Sequence, residues 1–210
     1  MGHWLADVHS VGFAPAFTLS FHDSECSRKP PNAHSLGRYR QINMSATENI
    51  RDTFSILHDG TISGWTGDKN LLTLKIDCQY LAERIDKSFK SFYVELIQIQ
   101  DLYFKTWPNP FDLPALTLTD LNEIFKAELE ILSAEIKENL VVVSCNQHDT
   151  NFSYCGGNLT ISCITTKIFD QNRNELTIDE FDNICKSYWT EMNKEIENNI
   201  IDRQTKNMKE

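Results

Sequence analysis

Three His-Asp dipeptides, His22-Asp23, His58-Asp59 and His148-Asp149, are the first residues of this 210-residue chain whose types suit chemistry. Adjacent imidazole and carboxylate groups serve metal-dependent phosphohydrolases, where helices bring them onto a divalent ion that activates water. That use needs a helical scaffold, and all three pairs lie beside strand-like or loop-like stretches. Without its structural context the motif specifies little. In ILHDGTISGW (56–65), Asp59-Gly60 separates an apolar run from a β-rich one and reads as a tight turn. His58 is placed to fix that turn through a backbone carbonyl. The functional alternative joins His58, Asp59 and Trp65 into one polar and aromatic patch for a partner or ligand.

The stretch DQNRNELTIDEF (170–181) resembles a calcium loop at first sight, with Asp170, Asn172 and Asn174 at alternate positions. An EF-hand loop requires Gly at its sixth position and a bidentate Glu at its twelfth. Counted from Asp170, those positions hold Glu175 and Phe181, and a β-branched run precedes the loop in place of a helix. The residues fit a different grammar. Asp170, Asn172 and Asn174 are turn formers, and Thr177-x-x-Glu180 is a capping box opening a helix.

SYCGGNL (153–159) offers a cysteine beside two glycines. A nucleophilic thiolate wants a histidine and usually a helix N-terminus, and phosphate loops need longer glycine patterns leading into a helix. A strand-like run follows here, so Gly156-Gly157 is expected to be a hairpin turn. Six cysteines are scattered without a C-x-x-C pair, which supplies no zinc spacing. Cys78, Cys145 and Cys163 fall in alternating apolar runs, where a thiol acts as a small buried hydrophobe. No metal and no cofactor is expected.

The elements that must position these residues follow from composition and pattern. With 40% apolar and 24% charged residues the chain suits one globular domain. A formal charge of −10 disfavours a nucleic-acid backbone as partner and suits a basic protein. MGHWLADVHS lacks the basic start of a signal peptide, and no run reaches the length of a membrane span. A cytoplasmic location is expected. Residues 1–43 carry four basic against three acidic residues and no sustained period, while residues 44–210 carry 16 against 27. They are expected to be a disordered or upstream-translated extension, with the domain over 44–203 and a frayed tail over 204–210.

Within that domain TISGW, LLTLKIDCQ, SFYVELIQIQDLYFKTW, the two halves of AELEILSAEIKENLVVVSCNQ, and NLTISCITTKIF read as strands. The apolar phase slips near Leu96-Ile97, which predicts a bulge. WPNPFDLP (107–114), with three prolines, reads as a loop that leaves Trp107 exposed. Ile178, Phe181, Cys185, Tyr188, Met192 and Ile196 form the stripe of a closing amphipathic helix. The class is α+β: an antiparallel β-meander sheet with a C-terminal helix packed on it.

The order L-H-D-G-x-I, a short turn, an alternating strand, an aromatic-rich strand and an A-E-I strand resembles small bacterial HDG-type domains, over roughly residues 54–181. Some of these are immunity proteins of polymorphic toxin systems. The resemblance implies a non-enzymatic protein that blocks a toxin by binding it. The expected binding residues are His58, Asp59, Trp65 and Trp107, and the expected partner is a protein such as a basic toxin domain. The rival reading is a small-molecule-binding or metal-dependent hydrolytic protein using the His58-Asp59 region. A third is a homo-oligomer formed through a sheet edge or Trp107.

Overall fold

The computed structural model describes residues 46–207, with side chains through residue 198. The extension expected over 1–43 lies outside the described residues. The chain runs α1 (Ala46–Ile56), β1 (Thr61–Gly67), β2 (Leu71–Asp77), α2 (Gln79–Ala82), β3 (Ser91–Pro108), β4 (Thr117–Leu118) and α3 (Leu121–Ile124). It continues through β5 (Leu129–Lys137), β6 (Leu140–Asn146), β7 (Tyr154–Phe169), β8 (Glu175–Leu176) and α4 (Ile178–Asn207). The class is α+β, with one antiparallel eight-stranded sheet and a C-terminal helix.

The sheet order is β4-β3-β2-β1-β5-β6-β7-β8, and β3 also pairs with β7 along most of its length. That second pairing bends two meanders into a ring, β1-β2-β3-β7-β6-β5. Its seam between β1 and β5 is thin: Thr61 faces Glu130 and Ile62 faces Leu129. Alternation builds the interior. Leu72, Leu74 and Ile76 of β2 pair with Leu96, Val94 and Phe92 of β3, and all six are fully buried. On the other side, Phe104, Leu159 and Val143 stand in register across β3, β7 and β6. Helix α1 lies across β5, β6 and β7 and buries Ile50 and Phe54 there. Each such side chain contributes about 2–3 kcal/mol of apolar burial.

The long strands bend where the apolar phase slips. Gln98 adopts a left-handed φ of 53°, and the β3–β7 register shifts between Ile99 and Asp101. The expected bulge at Leu96-Ile97 is therefore centred slightly later, and the buried phase resumes at Leu102, Phe104 and Thr106. Glu138 and Asn139, with φ of 50° and 67°, make the two-residue turn between β5 and β6.

Two expectations are corrected. Gly156-Gly157 is not a hairpin turn but part of β7, between β3 and β6. A Cβ on Gly157 would lie 2.5 Å from the Lys105 carbonyl oxygen and 2.6 Å from the Phe104 ring. These glycines serve close approach of neighbouring strands, a use of glycine that needs no turn. Trp107 and Pro108 are likewise the last residues of β3, and the loop begins only at Asn109. Trp107 is half-buried, and a Cβ on Gly156 would stand 3.0 Å from its ring.

The strand-to-helix junction follows the sequence closely. The Asp170 carboxylate, 4% exposed, accepts from the Asn172 and Asn174 backbone N–H groups and the Asn174 side-chain amide at 2.8–2.9 Å. Thr177 N–H donates to Glu180 Oε2 at 2.8 Å while Glu180 N–H donates back to Thr177 Oγ1 at 3.2 Å. That reciprocal box stabilises the helix start by about 1 kcal/mol. Phe181 is fully buried against Phe92, with ring centroids 5.0 Å apart. Burial then fades along α4: Tyr188 is half-buried and Ile196 exposed. The helix runs on to Asn207, into the stretch expected to fray.

Candidate functional site

The His58-Asp59-Gly60 turn is built into the seam of the ring. Asp59 N–H donates to the Ile131 carbonyl and Ile131 N–H donates to the Gly60 carbonyl, both at 2.8 Å. These bonds extend the short β1–β5 pairing by one step. Asp59 holds a φ of 63°, a left-handed conformation that Asp tolerates better than most residues. His58 Nδ1 lies 3.1 Å from the Ser55 carbonyl oxygen, so this nitrogen donates, and the His58 carbonyl accepts from the Tyr80 hydroxyl at 2.8 Å. The turn-fixing role inferred from sequence has its geometry here.

Helix α4 packs over this turn through aromatic rings. The His58 imidazole stacks on Trp189 at 5.7 Å with 12° between planes, and Tyr188 meets both Trp189 and Tyr80. Arg84 stands 5.3 Å above the Tyr188 ring and pairs with Glu191. Burial pushes the Tyr80 hydroxyl far above its ordinary range, reinforced by neighbouring Cys78. Burial likewise raises the Cys78 thiol to about 11. The cluster holds α4 over the turn by ring packing, with the Arg84–Glu191 ion pair at its edge. Cys145 and Cys163 are also buried and free, as their alternating runs implied.

The structure does not assemble His58, Asp59 and Trp65 into one patch. A β-bulge between Ile62 and Gly64 sets Trp65 opposite the fully buried Leu74, and its ring packs on Phe125 at 6.0 Å. Trp65 thus belongs to the packing under α3, while His58 belongs to the packing under α4. Asp59 alone of the three keeps a well-exposed side chain.

The most prominent exposed apolar surface lies beyond Trp107. The loop NPFDLPAL (109–116) carries Phe111 at 90% exposure, with Leu113 and Leu116 also exposed. Its ends are anchored: Asn109 N–H donates to the Ser153 carbonyl, and Thr106 and Leu116 exchange bonds through the Thr106 backbone and hydroxyl. The Asn109-Pro110 bond is cis. Beneath this end Tyr154 is buried against Phe104 and Phe152, and its hydroxyl has no hydrogen-bond partner among the described residues. Burial raises its pKa, helped by the charges of Glu123 and Asp149. Asp112 lies on the same loop, and Asp120 opens α3 a few residues after it.

Sequence reasoning placed Trp107 here and missed Phe111, Leu113 and Leu116. The available signal was apolar residues trapped between prolines, which bars them from a sheet that would cover them.

His148 pairs with Glu130 at 2.9 Å on the rim of a concavity of about 350 Å³ that also takes in Thr61 and Lys126. Asp149 lines the same concavity, His58 and Asp59 do not, and His22-Asp23 lies outside the described residues. Among the described residues no group of three His, Cys, Asp or Glu side chains is arranged to hold a metal ion. No described helix is long and apolar enough to cross a membrane. The chain is thus an antiparallel α+β domain that presents an exposed apolar loop. No protein-family model, no curated protein and no solved structure matches this chain.

Proposed function

We propose that this protein acts by protein–protein contact, through the Trp107–Leu116 segment, on a basic partner. The observation that carries this reading is Phe111, whose ring is 90% exposed on a loop anchored at both ends. An apolar anchor held in place loses little conformational freedom on binding, which is the property of an interface hot spot. The net charge of −10 favours encounter with a basic surface. The specific form of the proposal is an immunity-type inhibitor that covers a basic toxin domain. The hydrolytic alternative rests on the exposed Asp59 carboxylate beside His58, whose Nδ1 donates to the Ser55 carbonyl.

Titration calorimetry of the full chain against the purified products of the reading frames flanking its gene, any basic toxin-like domain first, tests this reading. Tight binding that is lost in Phe111→Asp, with an unchanged melting curve, supports it. Equal binding by wild type and a Phe111→Asp/Leu113→Asp variant overturns the assignment of the loop. Absence of binding by the wild type overturns the immunity form.

A further inference from the structure

A second concavity, of about 510 Å³, lies at the opposite end of β3 from the apolar loop. Its floor is made of outward-facing residues of paired strands: Lys75 stands opposite Tyr93, and Asp77 opposite Ser91. One wall comes from the loop after β7. Gln171 Oε1 accepts from the Lys90 backbone N–H at 2.7 Å and lies 3.5 Å from the Ser91 hydroxyl. With its oxygen so engaged, the Gln171 amide nitrogen is left as a donor. The Ser91 side chain is 3% exposed, which makes this a built recess and not a scatter of surface groups.

The loop that resembled a calcium site explains the recess. Buried Asp170 spends its carboxylate on the loop's own amides, and so fixes the two residues that follow it on either side of Asn172. Gln171 is directed onto Lys90 and Ser91. Arg173, at a φ of 66°, lays its guanidinium 3.5 Å above the Tyr93 ring. An arginine held in a left-handed conformation and stacked on an aromatic is a fixed cation, with Glu95 only 3.8 Å away as a weak partner. Lys90 has no carboxylate partner among the described residues, whereas Lys75 is shared with Asp77 at 3.0 Å. In an acidic protein this one recess gathers Lys75 and Lys90 with the Tyr93 and Gln171 donors, and Arg173 stands beside it on the Tyr93 ring. Asp77 and the Gln79 side-chain oxygen add acceptors.

From this arrangement we infer that the recess binds a small phosphorylated sugar. The cations and donors suit a phosphate monoester, and the acceptors suit hydroxyl groups. The volume lies in the range of small-molecule sites and exceeds what a bare phosphate fills. The inference does not depend on the partner reading, since it uses no residue of the apolar loop.

Nuclear magnetic resonance titration of the full chain with glucose 6-phosphate, glucose and inorganic phosphate tests it. Saturable shifts at Lys90, Ser91, Tyr93 and Gln171 are expected with glucose 6-phosphate, at least about tenfold tighter than with either fragment. Lys90→Ala is expected to weaken that binding about tenfold, and Lys75→Ala/Lys90→Ala further, because Asp77 is then left facing the phosphate. Both are surface changes, and the amide spectrum reports that the fold is kept. No saturation below ~10 mM glucose 6-phosphate, equal affinity for inorganic phosphate, or unchanged binding by the double variant would each overturn the inference.

Discussion

The two ends of β3 carry opposite kinds of surface. At Tyr93 the strand lies between β2 and β7 and that residue meets cross-strand partners on both sides, while Ser91 pairs with Asp77 of β2. Lys75, Tyr93 and Phe169 stand in one row, and the result is a polar recess with its side chains fixed by the sheet. At Thr106–Pro108 the strand has outrun β2 and keeps only β7 and the two-residue β4. No strand continues there to cover apolar residues, and prolines prevent the loop from becoming one. The same strand therefore ends in a polar cup where β2 pairs with it and in an exposed apolar tip where β2 has run out.

Breaking the support of the apolar end should give the largest effect. In Gly157→Ala the new methyl would meet the Lys105 carbonyl oxygen and the Phe104 ring at under 3 Å, with strands on both sides. A loss of about 3 kcal/mol in chemical denaturation is expected, the cost of overpacking a site that cannot relax. At the other end the corresponding support is Asp170. Removing its carboxylate in Asp170→Ala leaves three donors of the loop unpaired. A loss of about 2 kcal/mol is expected, together with weaker binding in the recess as Gln171 and Arg173 lose their positions. If Asp170→Ala leaves recess binding unchanged, the loop does not organise the cup. Phe111→Ala sharpens the contrast from the surface: about 2 kcal/mol of partner affinity is expected to go, roughly 30-fold, while stability stays within ~0.5 kcal/mol.

Much of this was legible in the sequence because alternation survives the fold. Leu72, Leu74 and Ile76 announce β2, and Thr177-x-x-Glu180 marks the start of α4 to the residue. The ring closure was not legible, since its seam of Thr61–Ile62 on Leu129–Glu130 is too short to impose a pattern. Gly156-Gly157 misled because a glycine pair reads as a turn from local preference, whereas here it answers a long-range approach of Lys105 and Cys145. The recess lay out of reach for a similar reason. Lys75, Ser91 and Gln171 meet only through strand pairing and the Asp170 loop, and none of them carries a local signal of the others. His58 was read as a turn residue and is one, yet its stacking on Trp189 depends on where α4 lands.

The smallest expected effect separates the helix cap from the recess beside it. The Glu180 carboxylate accepts from the Thr177 backbone N–H and hydroxyl, which holds its pKa below the ordinary value of 4.5. A carboxylate depressed in the folded state adds stability that is present above its unfolded pKa and lost as pH falls through the folded one. Glu180→Gln keeps a capping side chain but removes the charge. The variant should therefore melt slightly lower than wild type at neutral pH, and the two melting temperatures should converge below pH 4.5. Because this charge caps α4 and does not line the recess, glucose 6-phosphate binding should be the same in both proteins at neutral pH. A shared loss of cap and binding would mean that the helix start, and not the Asp170 loop alone, sets the wall of the cup.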